Sequence, residues 1–283
     1  MIIGEARSWV AALLPDADDL PPADRMVLLG AALVSALESG DTEGARACRE
    51  RMTPLLAEAG DPYVEAVSGL LMAWGSALLR DTGGAREQLI DVVGRLRSLD
   101  EPMWTALALV STASVELALG HHDDGLRHVM EAQGLAGRFD APWLDAVSRI
   151  TRATFAVAGR DFDEARDLLE EAMMLSLSGH SVHCLCMVVD GAAAWCLAQG
   201  DDEQAAVLLG AAAGLRRRSG LQAYASLRGD GELAAAVRAA TGDERFDELA
   251  AGGGGLRETE VPALVRDSLR VTPATPSGAG PGT

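Results

Sequence analysis

The chain has 283 residues and a formal net charge of −18, from 24 basic and 42 acidic side chains. Every basic residue is arginine, because the sequence holds neither lysine nor asparagine, a bias that fits a high-GC bacterial genome. So acidic a chain, with no basic face to neutralise phosphate, is not expected to bind nucleic acid or an anionic membrane surface. The missing lysine also excludes a Gly-x-x-x-x-Gly-Lys-Ser/Thr phosphate loop.

Met1–Leu14 carries Glu5 and Arg7 and so does not read as a signal peptide. No run of about 18 apolar residues escapes interruption by polar groups. Cys48, Cys184, Cys186 and Cys196 make no spaced framework, which suits reduced thiols and a cytoplasmic location. Ile3–Leu14 has the pattern of a second helix of a hairpin, so residues 1–21 are read as a half repeat or N-terminal cap, or as the tail of a longer ancestral protein.

From Pro22 the chain repeats. Proline stands at 22, 62, 102 and 142, and a small residue at Ala45, Ala85, Gly125, Ala165 and Ala205, both in steps of forty. A fixed period of this size marks a helical array whose units bury their apolar faces only against one another. Each unit opens with an apolar, helix-length run, and proline is tolerated there because first-turn N–H groups lack helical partners. Ala106, Val110, Ala113 and Leu117 in the third unit, and Ala146, Ile150, Ala153 and Val157 in the fourth, are spaced to share one helix face. Turns such as Gly40-Asp41-Thr42-Glu43 and Gly200-Asp201-Asp202-Glu203 then end one helix and cap the next. In the second helix that follows, the small residue lies in the first turn, where two helices cross closely. The expected fold is all-α: five forty-residue helical hairpins over residues 22–221. The Gly-Asp-x-Asp/Glu-x-Ala turn resembles that of the tetratricopeptide repeat, which implies a right-handed α-α superhelix.

The period stops after Leu221. Residues 222–270 are expected to form a helical C-terminal cap: short helices at Gly231–Ala240 and Glu244–Ala251, a flexible break at Gly252–Gly255, and a last helix Thr259–Arg270 N-capped by Thr259. The Pro/Gly/Thr/Ser-rich residues 271–283 are expected to be disordered. In this region Leu208, Leu209, Gly210, Ala211, Leu215, Arg216 and Gly220, followed more loosely by Gly242, Asp243, Phe246 and Gly253, resemble a segment of large actinobacterial LuxR-type and antibiotic-regulator ATPases. The resemblance covers roughly Val182–Arg270. It implies a tetratricopeptide-like region of a transcriptional regulator, without that family's phosphate loop or DNA-binding helix-turn-helix.

Odd residues in otherwise uniform columns are the candidate site. Asp190 interrupts Gly30, Leu70, Val110 and Ile150. A carboxylate on an apolar column wants an arginine, and Arg149 and Arg152 on the preceding first helix are the expected partners. Thr112 and Met72 share the Arg152 column. Glu116 interrupts Ala36, Ser76, Ala156 and Cys196, and is expected to be solvated or to line the groove, since no second acid or histidine stands at a fixed spacing to make a catalytic pair. Arg216-Arg217-Arg218 is read as a cationic helix end. His180, His183, Cys184 and Cys186 lack a zinc-like spacing, and the acids of His121-His122-Asp123-Asp124 suit a helix start. No metal, cofactor or catalysis is expected. The expected role is a binding scaffold in bacterial regulation, presenting a concave groove to a protein, a peptide or a small effector; the alternative is a sensor or enzyme with its site in that groove.

Overall fold

A computed structural model describes residues 2–79, 81–139, 141–221 and 230–270. The first eight residues assigned to the cap, and the tail at 271–283, lie outside this range.

The fold is an all-α solenoid, with no strand among the described residues. A leading helix α1 (Ile2–Leu13) and a 3₁₀ segment (Leu14–Asp19) precede five hairpins. These are α2/α3 (Pro22–Ser39, Thr42–Leu55), α4/α5 (Pro62–Leu78, Thr82–Ser98), α6/α7 (Pro102–Ala118, His122–Ala136), α8/α9 (Pro142–Ala158, Phe162–Ser178) and α10/α11 (Val182–Gln199, Asp202–Ser219). Then come α12 (Asp230–Thr241), α13 (Asp243–Gly254) and α14 (Val261–Arg270).

Capping chemistry recurs with the same period. Asp41, Asp81, Asp161 and Asp201 each accept a hydrogen bond from the backbone N–H three residues on, satisfying an orphan donor of the second helix. The third hairpin breaks the series, because His121 occupies that position without a capping bond from its side chain. Helix ends repeat as well. Left-handed backbone occurs at Gly40, Gly60, Asp100, Gly120, Arg160, His180, Gly200 and Gly220, all at multiples of twenty. The fourth hairpin shows that position outranks residue type: Gly159 stays right-handed (φ −79°) while Arg160 takes φ 61°.

The small-residue ladder is buried at every step. A Cβ added to Gly125 would meet the Phe155 ring at 2.4 Å, so any larger residue on this rung would have to displace that ring. The striped faces of the first helices supply the core: Ala106, Val110 and Ala113, and Ala146, Ile150 and Ala153, are all buried. α10 is long and apolar enough to cross a bilayer by length and composition, although His183 and Asp190 interrupt the run. In the solenoid it is a core helix, with Leu185, Cys186, Met187, Val188 and Val189 buried.

The expected flexible break at Gly252–Gly255 is instead the end of α13, and it packs against α11. The glycines allow backbone to touch backbone. A Cβ on Gly253 would sit 2.0 Å from the Val207 carbonyl oxygen, and one on Gly210 would sit 2.1 Å from that of Ala250. The last helix opens differently from expectation too. Glu258–Glu260 is a 3₁₀ turn, and Arg257, not Thr259, makes the reciprocal bonds with Glu260 at its start.

Candidate functional site

The first helices of successive hairpins line a concave groove holding a cavity of about 360 Å³. α4 contributes Leu71, Trp74 and Leu78; α6 contributes Leu107, Ser111, Ser114 and Ala118. α8 adds Trp143, Val147 and Thr151, and α10 adds His183 and Met187. These fall on forty-residue columns one position beyond the core stripe: Leu107/Val147/Met187, Leu71/Ser111/Thr151 and Trp74/Ser114. The helix repeat puts a position next to the buried face at the edge of that face, which is where a groove wall must be. Among the described residues no Asp, Glu or Arg lines the cavity.

Along the opening turns of α4, α6 and α8 runs a rim of exposed bulky groups on one column: Tyr63 at 40%, Met103 at 38% and Trp143 at 39% exposure. His183 takes the same position on α10. Trp104 Nε1 donates to the Tyr63 hydroxyl at 2.8 Å, tying the first two rungs together. Solitary exposed apolar residues are ordinary, whereas large side chains repeated at one partly exposed position make a continuous apolar edge.

None of the six candidate residues lines this groove. Met72 and Thr112 are buried in the core, where the Thr112 hydroxyl donates to the Ala108 carbonyl at 2.8 Å. Arg149 lies between Asp145 (3.1 Å) and Glu171 (3.1 Å). Arg152 pairs with Glu164 and reaches the Gln133 side-chain oxygen. The expected pairing of Asp190 with either arginine is therefore corrected. Asp190 pairs with Arg216, which comes from the second helix of its own hairpin. Arg216 stands in the last turn of α11 with Arg217 and Arg218, as a cationic helix end, but it is nearly buried: its side chain is 8% exposed and that of Asp190 13%.

Glu116 is corrected also. It is fully buried, bonded by Arg86 Nε at 2.9 Å and by His121 Nδ1 at 2.6 Å. Burial alone would push the carboxyl up, but the hydrogen bonds from Arg86 and His121 outweigh it and hold Glu116 below its ordinary range. The histidine that vacates the capping role thus serves the neighbouring helix. His128, one turn into α7 and beyond, is shifted down by burial. Cys186 and Cys196 are buried thiols pushed up to about 12 by desolvation, a state in which thiolate chemistry is suppressed.

No family model matches the chain, and no curated protein matches it in sequence. Among solved structures it is similar to a STAND protein (signal transduction ATPase with numerous domains) with a tetratricopeptide repeat sensor, from Pyrococcus horikoshii. The TM-score is 0.53 at 12% identity, over 89% of this chain and 43% of that one. This likeness defines the fold, a tetratricopeptide-like helical solenoid. The chain spans less than half the length of that protein.

Proposed function

We propose that the chain is an interaction scaffold whose concave groove binds an apolar element of a partner protein. The observation that carries this is the coincidence of the uncharged cavity with the Tyr63–Met103–Trp143 rim, in a chain of net charge −18. A surface rich in charge that keeps one groove free of it, with tryptophans at the wall and edge, has the composition of a protein-binding core. The reading is of a binding protein and not an enzyme. Glu116, the acid best hidden from water, is already taken by Arg86 and His121.

The setting we infer is bacterial regulation in the cytoplasm. Two observations support it: the resemblance of Val182–Arg270 to LuxR-type and antibiotic-regulator ATPases, and the likeness in fold to a STAND protein with a tetratricopeptide repeat sensor. The residues behind the resemblance have physical tasks here. Gly210 and Gly253 permit the α11–α13 crossing, Arg216 holds Asp190, and Phe246 packs beneath the Arg238 guanidinium, 4.2 Å from its ring centroid.

A photo-crosslinking side chain placed at Ser114, in the groove, tests the reading against the same group at Met130, exposed on α7. In the native host, a discrete protein adduct is expected from position 114 and not from 130. Equal adducts from both positions, or none from 114, would reject it.

A further inference from the structure

We propose that the groove receives an α-helix, amphipathic and basic, laid across α4, α6, α8 and α10. This deepens the reading above and rests on the groove being the binding surface. Three observations carry it.

The first concerns hydrogen bonds. Three of the four hydroxyls among the described lining residues already donate within their own helices: Ser111 to the Leu107 carbonyl at 2.9 Å, Ser114 to Val110 at 3.1 Å and Thr151 to Val147 at 2.9 Å. The backbone of the groove floor is bonded within its own helices. An extended peptide lying there would bring one N–H and one C=O per residue into an apolar trough offering few partners, and buried polar groups left unpaired are costly. A helix arrives with its backbone satisfied internally.

The second is spacing. Packed helices stand about 8–10 Å apart, and a heptad of α-helix rises about 10.5 Å, at 1.5 Å per residue. An apolar stripe repeating each heptad would therefore set one anchor per hairpin, against Tyr63, Met103 and Trp143 in turn. An apolar face meets the cavity while the opposite face stays in water.

The third is charge. The cavity wall is uncharged, so the anchors must be apolar. The chain as a whole is acidic, with a net charge of −18. Asp61 and Glu101 are the N-cap residues of α4 and α6, two of the helices that line the cavity, and among the described residues neither enters an ion pair with an arginine. A partner whose outer face carries lysine and arginine gains from this field, and an acidic one is repelled.

The test uses fluorescein-labelled peptides of about three heptads with one leucine stripe. One has a lysine polar face, one a glutamate face, and one is the lysine peptide with two internal prolines. Anisotropy and circular dichroism are read with the full chain and with Ala118→Arg, which puts a charge at an exposed groove position. The lysine peptide is expected to gain helicity on binding and to weaken with salt. The glutamate and proline peptides should bind at least about tenfold more weakly, and Ala118→Arg should cost the lysine peptide about tenfold. If Ala118→Arg does not fold, Ser114→Arg serves in its place. A proline peptide that binds as well as its parent overturns the helix. An equally bound glutamate peptide overturns the charge, and a lysine peptide indifferent to Ala118→Arg overturns the location. The uncharged dye N-phenyl-1-naphthylamine separates the two readings. If Ala118→Arg expels the dye while the peptides are not discriminated, the groove stands and this inference falls. If neither dye nor peptide responds to Ala118→Arg, the groove reading falls with it.

Discussion

Arg216 on α11 holds Asp190 on α10, and the two form a nearly buried ion pair inside the fifth hairpin. Asp190 stands in the column of Leu70, Val110 and Ile150, and Arg216 in that of Leu96, Ala136 and Ser176. Each is the charged exception in its column, and each supplies what the other needs. Removing one partner of such a pair typically costs about 3–5 kcal/mol, whereas replacing both by apolar groups is often neutral. Arg216→Leu alone is expected to lower the denaturation midpoint strongly. Asp190→Ile with Arg216→Leu, following the columns of the other hairpins, should recover most of the loss. Additive effects in that double-mutant cycle would mean that the two residues are not coupled.

The α11–α13 crossing makes a second prediction. With Val207 and Ala250 carbonyl oxygens 2.0 and 2.1 Å from the Cβ positions of Gly253 and Gly210, Gly253→Ala cannot be absorbed by a side-chain rotation. The helices must separate. Overpacking costs about 1–3 kcal/mol, and amide hydrogen exchange should quicken in α12, α13 and α14 more than in α2–α9. Gly252→Ala is the control, as a Cβ there meets nothing within 4 Å; it should be tolerated.

Period and hairpin plan were readable because they are properties of spacing: prolines, aspartate caps and small crossing residues each need one place in the unit. The pair was not, although its signal was present. The column comparison points Asp190 to arginines on the preceding first helix, while the complementary exception lies 26 residues on, in the same hairpin. Glu116 stands out in its column as well, yet the column does not show what it pairs with. Its partner His121 marks itself by breaking the Asp41, Asp81, Asp161, Asp201 series, a sign visible in the columns. A concave groove is expected from the repeat, but its lining residues are unmarked for another reason. Its wall is one position from the core stripe, and its serines, threonine and alanine look unremarkable beside charged exceptions. A site defined by lack of charge leaves no odd residue to find. Gly252–Gly255 misled because glycine in a row usually means freedom, and here it means contact.

Left-handed backbone at a side chain larger than glycine should be relievable. His180 ends α9 at φ 51°, on the ladder that glycine occupies at 60 and 220. The left-handed region costs an ordinary L-residue about 1–2 kcal/mol, and glycine returns about 0.5–1 kcal/mol of that through its freer unfolded chain. His180→Gly is therefore expected to raise stability by about 0.5 kcal/mol or slightly more. A lower melting midpoint for His180→Gly would show that the imidazole contributes more than the strain it carries.

The cluster of Glu116, His121 and Arg86 gives the last prediction. His121 sits where four other hairpins cap with aspartate, and it bonds Glu116 instead. His121→Asp restores the capping residue, worth about 0.5–2 kcal/mol. It also removes a donor from a buried carboxylate and places a second negative charge beside it, and a buried acceptor left short of partners costs about 1–3 kcal/mol, more when charged. The single variant should be clearly destabilised at pH 7. Glu116→Ala with His121→Asp reproduces the first and fourth hairpins, with Ala36 and Asp41, and Ala156 and Asp161, and should recover stability. Acid separates the variants further. Glu116 is held below its ordinary carboxyl pKa, so its contribution is complete above the unfolded value of about 4.3 and is lost as pH falls through the folded value. His128, also shifted down, favours the folded state when neutral and loses stability as pH drops below about 6.5. Urea midpoints measured from pH 7 to pH 3 should therefore show two declines in the wild type. The one near neutrality should persist in Glu116→Ala with His121→Asp, and the acidic one should shrink. A double variant that follows the wild-type curve throughout would show that Glu116 adds nothing to the stability of the solenoid.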